Sequence, residues 1–197
     1  MRFFKRKLRE QEEQINQEEQ TAEESEPAEK GIFDRFEFRS IKQNETAQAV
    51  AIEQACFPSS EACSEKHMSE RIIVAADLFL VAVDKETGKL AGFLNGLATN
   101  EYFFSDDFFT NAGLNENGGN NIMILGLAVL PEYRMQGLAS ALMSEYMRRE
   151  REKGRQMLIL TCLDSRVEMY KKMGFTCHGR AASVWGGEQW YEMSCTL

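Results

Sequence analysis

The chain has 197 residues, 43% of them apolar and 27% charged, a balance that suits a soluble globular protein with one sizeable core. Its net charge of −8 speaks against nucleic acid as a partner. Five cysteines (Cys56, Cys63, Cys162, Cys177, Cys195) without a C-x-x-C suggest neither a disulfide framework nor a metal site, and no run approaches the roughly 20 apolar residues of a membrane span.

In chain order, the charge comes first. Residues 1–9 carry five positive charges (Arg2, Lys5, Arg6, Lys7, Arg9), and residues 10–29 carry nine glutamates with no Lys or Arg. Too few apolar residues are present to bury anything, and Pro27 interrupts a helix, so residues 1–30 read as a disordered or solvated-helix tail. The tail either solubilises the domain or touches a membrane surface or partner through Arg2, Phe3, Phe4 and Lys5–Lys7. No apolar stretch of signal-peptide length follows the basic start, and the expected location is cytoplasmic.

From residue 31 to 197 the patterns become regular and one domain is expected. "RFEFRSI" alternates as a strand does. "NETAQAVAIEQACF" reads as a helix capped by Asn44, with Val50, Ile52, Ala55 and Cys56 at helical spacing, and Pro58 interrupts it. "SEKHMSERIIVAA" is a second helix with Ser64 as its cap. "DLFLVAVD" and "KLAGFLNGLAT" form a hairpin across "KETG". The aromatic-rich insertion at 100–120 holds Tyr102, Phe103, Phe104, Phe108 and Phe109; these line an apolar pocket or cover the sheet, and covering is favoured. "NIMILGLAVL" is apolar on both faces, as a central strand should be. A helix over about 136–153 buries Leu138, Ala141, Leu142 and Tyr146 and ends at Gly154. "QMLILTCL" is another buried strand. Ser165 and Glu168 suggest a capping box for a short helix stopped by Gly174, and two closing strands follow. The order β, α, α, β, β, β, α, β, α, β, β predicts a mixed α/β sheet with helices on both faces.

One corner carries chemistry. Between the central strand and the long helix lies "PEYRMQGLA", with Arg134 and Gly137 and no acidic residue from Tyr133 to Ser144. A helix N-terminus offers unpaired N–H groups and about half a positive charge. A glycine lets a ligand approach main-chain amides, so the corner suits an anion such as a pyrophosphate. It matches neither a P-loop nor a dinucleotide fingerprint.

"RMQGLA" in this setting resembles the [QR]-x-x-G-x-[GA] segment of the GNAT superfamily of N-acetyltransferases. "YKKMGFTCHGRAASVWGGEQWYEMSCTL" resembles the end of the arylalkylamine (serotonin) N-acetyltransferase family, and "ACFPSSEACSEKHMSERI" is similar to the first helical pair of its bacterial relatives. The resemblance spans about residues 32–197 and implies the GNAT acyl-CoA N-acyltransferase fold: a mixed, mostly antiparallel β-sheet with a splayed central strand, flanked by helices. It implies that the main chain of Leu127, Ala128 and Val129 pairs with the pantetheine arm of acetyl-CoA. The loop amides of Arg134, Met135, Gln136, Gly137, Leu138 and Ala139 hold the pyrophosphate, with Ser140 close by. Tyr170 matches the family's tyrosine facing the thioester sulfur. Phe57 and Pro58 fall where the family forms a lid over the acceptor.

The implied reaction moves an acetyl group from acetyl-CoA, a cosubstrate, to a primary amine by direct attack on the thioester, without a metal. An alkyl ammonium has a pKa of about 10.4 and must lose a proton first. The animal members relay it through two histidines, whose positions here are Met123 and Leu125. His67 and His178 lie elsewhere and are expected at the surface or an edge. The proton therefore leaves through water alone or through a carboxylate such as Glu61 or Glu192. Glu53 and Glu61, near the lid, attract a cationic amine, and Glu61 is counted with the acceptor site. "RREREK" (148–153) is expected to be a solvated helix end rather than a phosphate contact. Three readings stay open: acetylation of a small amine of the arylalkylamine or polyamine type, acetylation of a peptide or protein amino group, and a non-catalytic acetyl-CoA sensor. No nucleic acid or integral membrane contact is expected, and both monomer and dimer remain possible.

Overall fold

The computed structural model describes residues 31–197. The expected tail, and the surface contact assigned to it, lie outside the described residues. Residues 31–35 are helical and lead into β1 (Phe36–Ser40). Helices α1 (Thr46–Cys56) and α2 (Glu65–Val74) follow, then strands β2 (Phe79–Asp84), β3 (Leu90–Thr99) and β4 (Asn121–Val129). The chain continues through α3 (Leu138–Glu152), β5 (Met157–Leu163), α4 (Asp164–Lys172), β6 (Thr176–Arg180) and β7 (Trp190–Thr196). The predicted order of elements is present throughout.

The strands form one seven-stranded sheet in the order β1-β2-β3-β4-β5-β7-β6. Every pairing is antiparallel except β4 with β5. Strands β2 and β3 are buried along their whole length because both faces are covered. Alternation assigns each residue to a side: Phe79, Val81 and Val83 pack in the cluster under α1 and α2, whereas Leu80 and Ala82 pack in the cluster under α3 and α4. The insertion cover is real for Phe104 and Phe108, which enter the larger cluster, while Tyr102 and Phe103 are exposed.

Three local expectations change. Asn44 does not cap α1: residues Gln43–Glu45 form a 3₁₀ turn, and the Glu45 carboxylate bonds the Lys42 amide and Arg39. Ala55 is exposed, and the buried face of α1 is Ala49, Val50, Ile52 and Glu53. Ser165 and Glu168 make no capping box: β5 runs directly into α4, which starts at Asp164, and Glu168 pairs with Lys171 at 2.7 Å. An aspartate in the first turn serves the helix dipole instead. The Ser64 cap does form, its hydroxyl accepting from the His67 amide at 3.2 Å.

Tyr146 joins α3 to the sheet's far end. It is 1% exposed and donates its hydroxyl to the Leu78 carbonyl at 3.1 Å. Tyr146→Phe leaves that carbonyl buried without its donor and is expected to destabilise the fold by about 1–3 kcal/mol, read by denaturant unfolding. An unchanged midpoint would mean that water replaces the bond.

Candidate active site

The site begins where two neighbouring strands part. β4 and β5 pair in parallel only over Asn121–Met123 and Met157–Ile159. A register shift of β4 against β3 follows at once: Asn95 faces Gly126 and Gly96 faces Ile124, so Leu125 is the extra residue. Beyond it the edges of Ile124–Val129 and Leu160–Leu163 have no strand between them, and both line a cavity of about 560 Å³. The Thr161 hydroxyl lies in this opening, buried and without a partner among the described residues. An extended polar chain laid along the opening would meet free main-chain groups.

At the mouth stands the corner before α3. Gly137 is the N-cap residue at φ +81°, and Met135 also takes a positive φ, 59°. The Arg134 amide bonds the Pro131 carbonyl at 3.2 Å. From Met135 to Ser140 no N–H finds a protein acceptor among the described residues. These unpaired donors at a helix N-terminus fit a pyrophosphate. The Arg134 side chain folds back: its Nε donates to the Val129 carbonyl at 2.9 Å, and its Nη2 meets the Cys56 sulfur at 3.5 Å. Gln136 is clamped from outside by Arg35 at 3.0 Å and does not line the cavity.

The opposite end is roofed. Phe57 and Pro58, after α1, line the cavity, as do Glu61, Phe109 and Trp185 from the loop before β7. The Trp185 indole N–H donates to the Glu61 carbonyl at 3.0 Å, and the Trp190 indole N–H to the Trp185 carbonyl at 2.8 Å. Phe109 packs on Trp185 with ring centroids 4.9 Å apart. A Cβ on Gly186, which sits at φ +64°, would lie 2.7 Å from the Glu61 Cγ, so the two loops touch. Burial and neighbouring Glu188 both raise the Glu61 carboxyl pKa.

A family model described as "Acetyltransferase (GNAT) family" matches residues 46–175. The chain belongs to the GNAT acetyltransferase family. It is an acetyl-CoA-dependent N-acetyltransferase. It is similar to serotonin N-acetyltransferase from Mesocricetus auratus, 26% identical over 165 residues that make up 82% of this chain and 77% of the relative. Among solved structures it resembles the loading GNATL domain of CurA from Lyngbya majuscula, with a TM-score of 0.72 and 12% identity over 82% of this chain and 97% of that one. It also resembles the ribosomal-protein-S18-alanine N-acetyltransferase from Escherichia coli, with a TM-score of 0.60 and 18% identity over 82% and 94% of the two chains. At these identities the structural likeness is one of fold.

The GNAT cavity gathers most residues expected from the sequence. Leu127, Ala128, Val129, Arg134, Met135, Gly137, Leu138, Ala139, Ser140, Phe57, Pro58, Glu61 and Tyr170 all line it. Tyr170 and Val167 are buried on one face of α4. Tyr170 is 9% exposed, and burial, with Cys162 beside it, raises its hydroxyl pKa. The Cys162 thiol is itself pushed up to about 12 by burial, so both groups stay protonated at neutral pH. Leu125 lines the cavity, whereas Met123 is in the core. His178 is exposed, bonded to Ser194, and neither histidine lines the cavity. Glu192 is engaged elsewhere, accepting from the Phe104 amide at 3.1 Å. Arg148, Arg149 and Lys153 are held in ion pairs with Glu145, Glu152, Glu150 and Asp77. Sequence reasoning missed Trp185, Thr161, Asn95 and Arg71, and treated Glu53, with Glu61, only as an attractor of a cationic amine near the lid. Its one visible signal was a carboxylate on the apolar stripe of α1.

Proposed function

We propose that this GNAT enzyme acetylates the primary amine of a small molecule, of the arylalkylamine or polyamine type, by direct attack on the acetyl-CoA thioester. The observation that carries the reading is the bridge from Trp185 to the Glu61 carbonyl, which closes the acceptor end between the turn after α1 and the loop before β7. A peptide substrate calls for an open groove at this point. The walls are Phe57, Phe109 and Trp185, and Glu53 and Glu61 bring negative charge to them. Apolar aromatic walls with a few acidic groups suit a compact cationic amine. The likeness to a serotonin N-acetyltransferase favours the arylalkylamine branch, and the reading as a bacterial-type member rests on the resemblance of residues 55–72 alone.

In this reading the pantetheine arm lies along Leu127–Val129, and the pyrophosphate rests on the amides from Met135 to Ala139 near Ser140. Tyr170 hydrogen-bonds the leaving sulfur, and residues 31–197 act as one catalytic domain in the cytoplasm. Among the described residues no group of His, Cys, Asp and Glu is arranged to hold a metal, and no helix is long and apolar enough to cross a membrane.

Incubation with acetyl-CoA and a pool of arylalkylamines, polyamines and short peptides, read by mass spectrometry, tests the proposal. One acetylated small amine supports it; acetylated peptides move the enzyme to the protein-modifying branch; binding without turnover identifies a sensor. Trp185→Ala should raise the amine KM by about tenfold, equivalent to about 1.4 kcal/mol, and leave acetyl-CoA affinity unchanged. An unaltered KM would remove the roof from acceptor recognition.

A further inference from the structure

Among the described residues no histidine lines the cavity, so a base there has to be another residue type. Glu53 is the most buried carboxylate that lines it, at 5% exposure. Its Oε1 accepts from the Cys63 amide at 2.8 Å, which ties the turn after α1. Its Oε2 is buried with no partner among the described residues. That oxygen faces the bulge in β4: it lies 3.9 Å from the point where Gly126 would carry a Cβ. A side chain at 126 would pack against this oxygen, so glycine leaves the space between the carboxylate and the splayed strand unfilled.

A second orphan lies near the same glycine. The Asn95 Nδ2 is 3.1 Å from the same point and has no acceptor among the described residues. Arg71, 4% exposed, fixes which way this amide points: its Nη1 donates to the Asn95 Oδ1 at 3.4 Å, and its Nη2 to the Phe109 carbonyl at 2.7 Å. Arg71 forms no ion pair with Glu53 within 4.0 Å. An unpaired carboxylate oxygen of a cavity-lining residue and an unpaired amide nitrogen thus both lie within 4 Å of one point at Gly126. Buried polar atoms are rarely left without a partner.

We infer that Glu53 is the proton acceptor of this enzyme, taking a proton from the acceptor's ammonium group at its free Oε2, with Asn95 and Arg71 as positioning residues. The inference rests on acetyl transfer to an amine in this cavity. The ammonium R–NH₃⁺ gives one proton to the Glu53 carboxylate and becomes a neutral amine. Its lone pair forms the C–N bond to the acetyl carbon, and the C–S bond breaks. The second nitrogen proton goes to the departing thiolate, which Tyr170 hydrogen-bonds, and Glu53 returns its own proton to solvent. The sum is amide, thiol and one released proton.

The surroundings suit a base. Cys56 on α1, Cys63 in the following turn and Arg71 on α2 are the titratable groups that face Glu53; Asn95 on β3 and Gly126 on β4 carry no charge. Burial raises Glu53 above the usual carboxylate range, opposed by the Cys63 amide and by Arg71. Burial also pushes the Cys63 thiol up to about 11, so it stays neutral. Because the folded chain holds the Glu53 proton to higher pH than the unfolded chain, its ionisation costs stability as pH rises through the folded value.

Glu53→Gln separates a base from a brace, since the amide oxygen still accepts from the Cys63 N–H. With phenethylamine and spermidine as probes, the variant should lose at least about 100-fold in kcat/KM and lose the acid limb of the pH profile. Its acetyl-CoA affinity should be unchanged and its Tm at neutral pH equal or higher. Glu53→Asp should restore part of the rate. Activity within threefold of wild type, or a loss accompanied by lower Tm and weaker cofactor binding, overturns the inference. Carbon-13 NMR of the resting enzyme, with Glu53→Gln assigning the signal, gives a readout independent of any substrate. A titration well above 4.5 supports the inference, and one at that ordinary value overturns it. A wild type inert toward both amines refutes the small-amine reading alone and leaves the NMR titration to decide Glu53.

Discussion

Tyr170→Phe is expected to lower kcat by about 10²–10³-fold while the Kd for acetyl-CoA stays within twofold of wild type, the size of effect seen when one preorganised donor is removed from a developing negative charge. The ring is held edge-on to Phe175 with centroids 5.6 Å apart, and its burial costs no further ordering during reaction. Its raised pKa bears on its role. A thiol titrates near 8.5, below any tyrosine, so complete transfer of the phenol proton to the thiolate is uphill. In the proposed reaction the hydroxyl acts by hydrogen bonding to sulfur as charge grows there. It follows that Tyr170 contributes no alkaline limb to the rate below pH ~10, the reference value that burial raises further. Steady-state kinetics with isothermal titration of acetyl-CoA would check both points. Equal kcat for the two proteins would remove Tyr170 from the reaction.

Gly137→Val should weaken acetyl-CoA binding by more than about tenfold and lower the thermal midpoint together. At φ +81° a β-branched residue is strained by about 1–3 kcal/mol. Its Cβ would also lie 3.0 Å from the Ile32 Cδ1. The loop must then turn, and the amides from Met135 to Ser140 lose their common aim. Gly137→Ala carries the same backbone penalty without the branching and should fall between the two. Titration calorimetry and thermal unfolding give the two readouts. Unchanged affinity with a lowered midpoint would leave Gly137 as a helix cap and move the pyrophosphate elsewhere.

The order of elements was legible because burial writes period 2 into β1 and continuous apolar runs into β2, β3 and β4. The corner at Gly137 was legible because helix N-termini and glycine carry their chemistry locally. Capping was less so. The choice between Asp164 and Ser165 as the start of α4 depends on where β5 releases the chain, which no local signal fixes. The acceptor end was the least legible. Trp185 and Glu61 are 124 positions apart, and only the packed loops bring them together. Glu53 was legible only as an acidic residue near the lid; the neighbours of its unpaired oxygen, Gly126 and Asn95, come from two strands distant in sequence.

The splay between β4 and β5 divides the sheet into a four-stranded part built from residues 36–129 and a three-stranded part built from 157–196, joined by three register pairs. A ligand lying in the opening therefore acts as a surrogate eighth strand, closing a seam between two halves of the sequence. Its binding energy is then also energy of cohesion between those halves, and the fraction of folded enzyme rises with the amount of that ligand in solution. The cosubstrate would serve as a reversible staple as well as a donor, and each turnover would end with the staple spent and awaiting replacement.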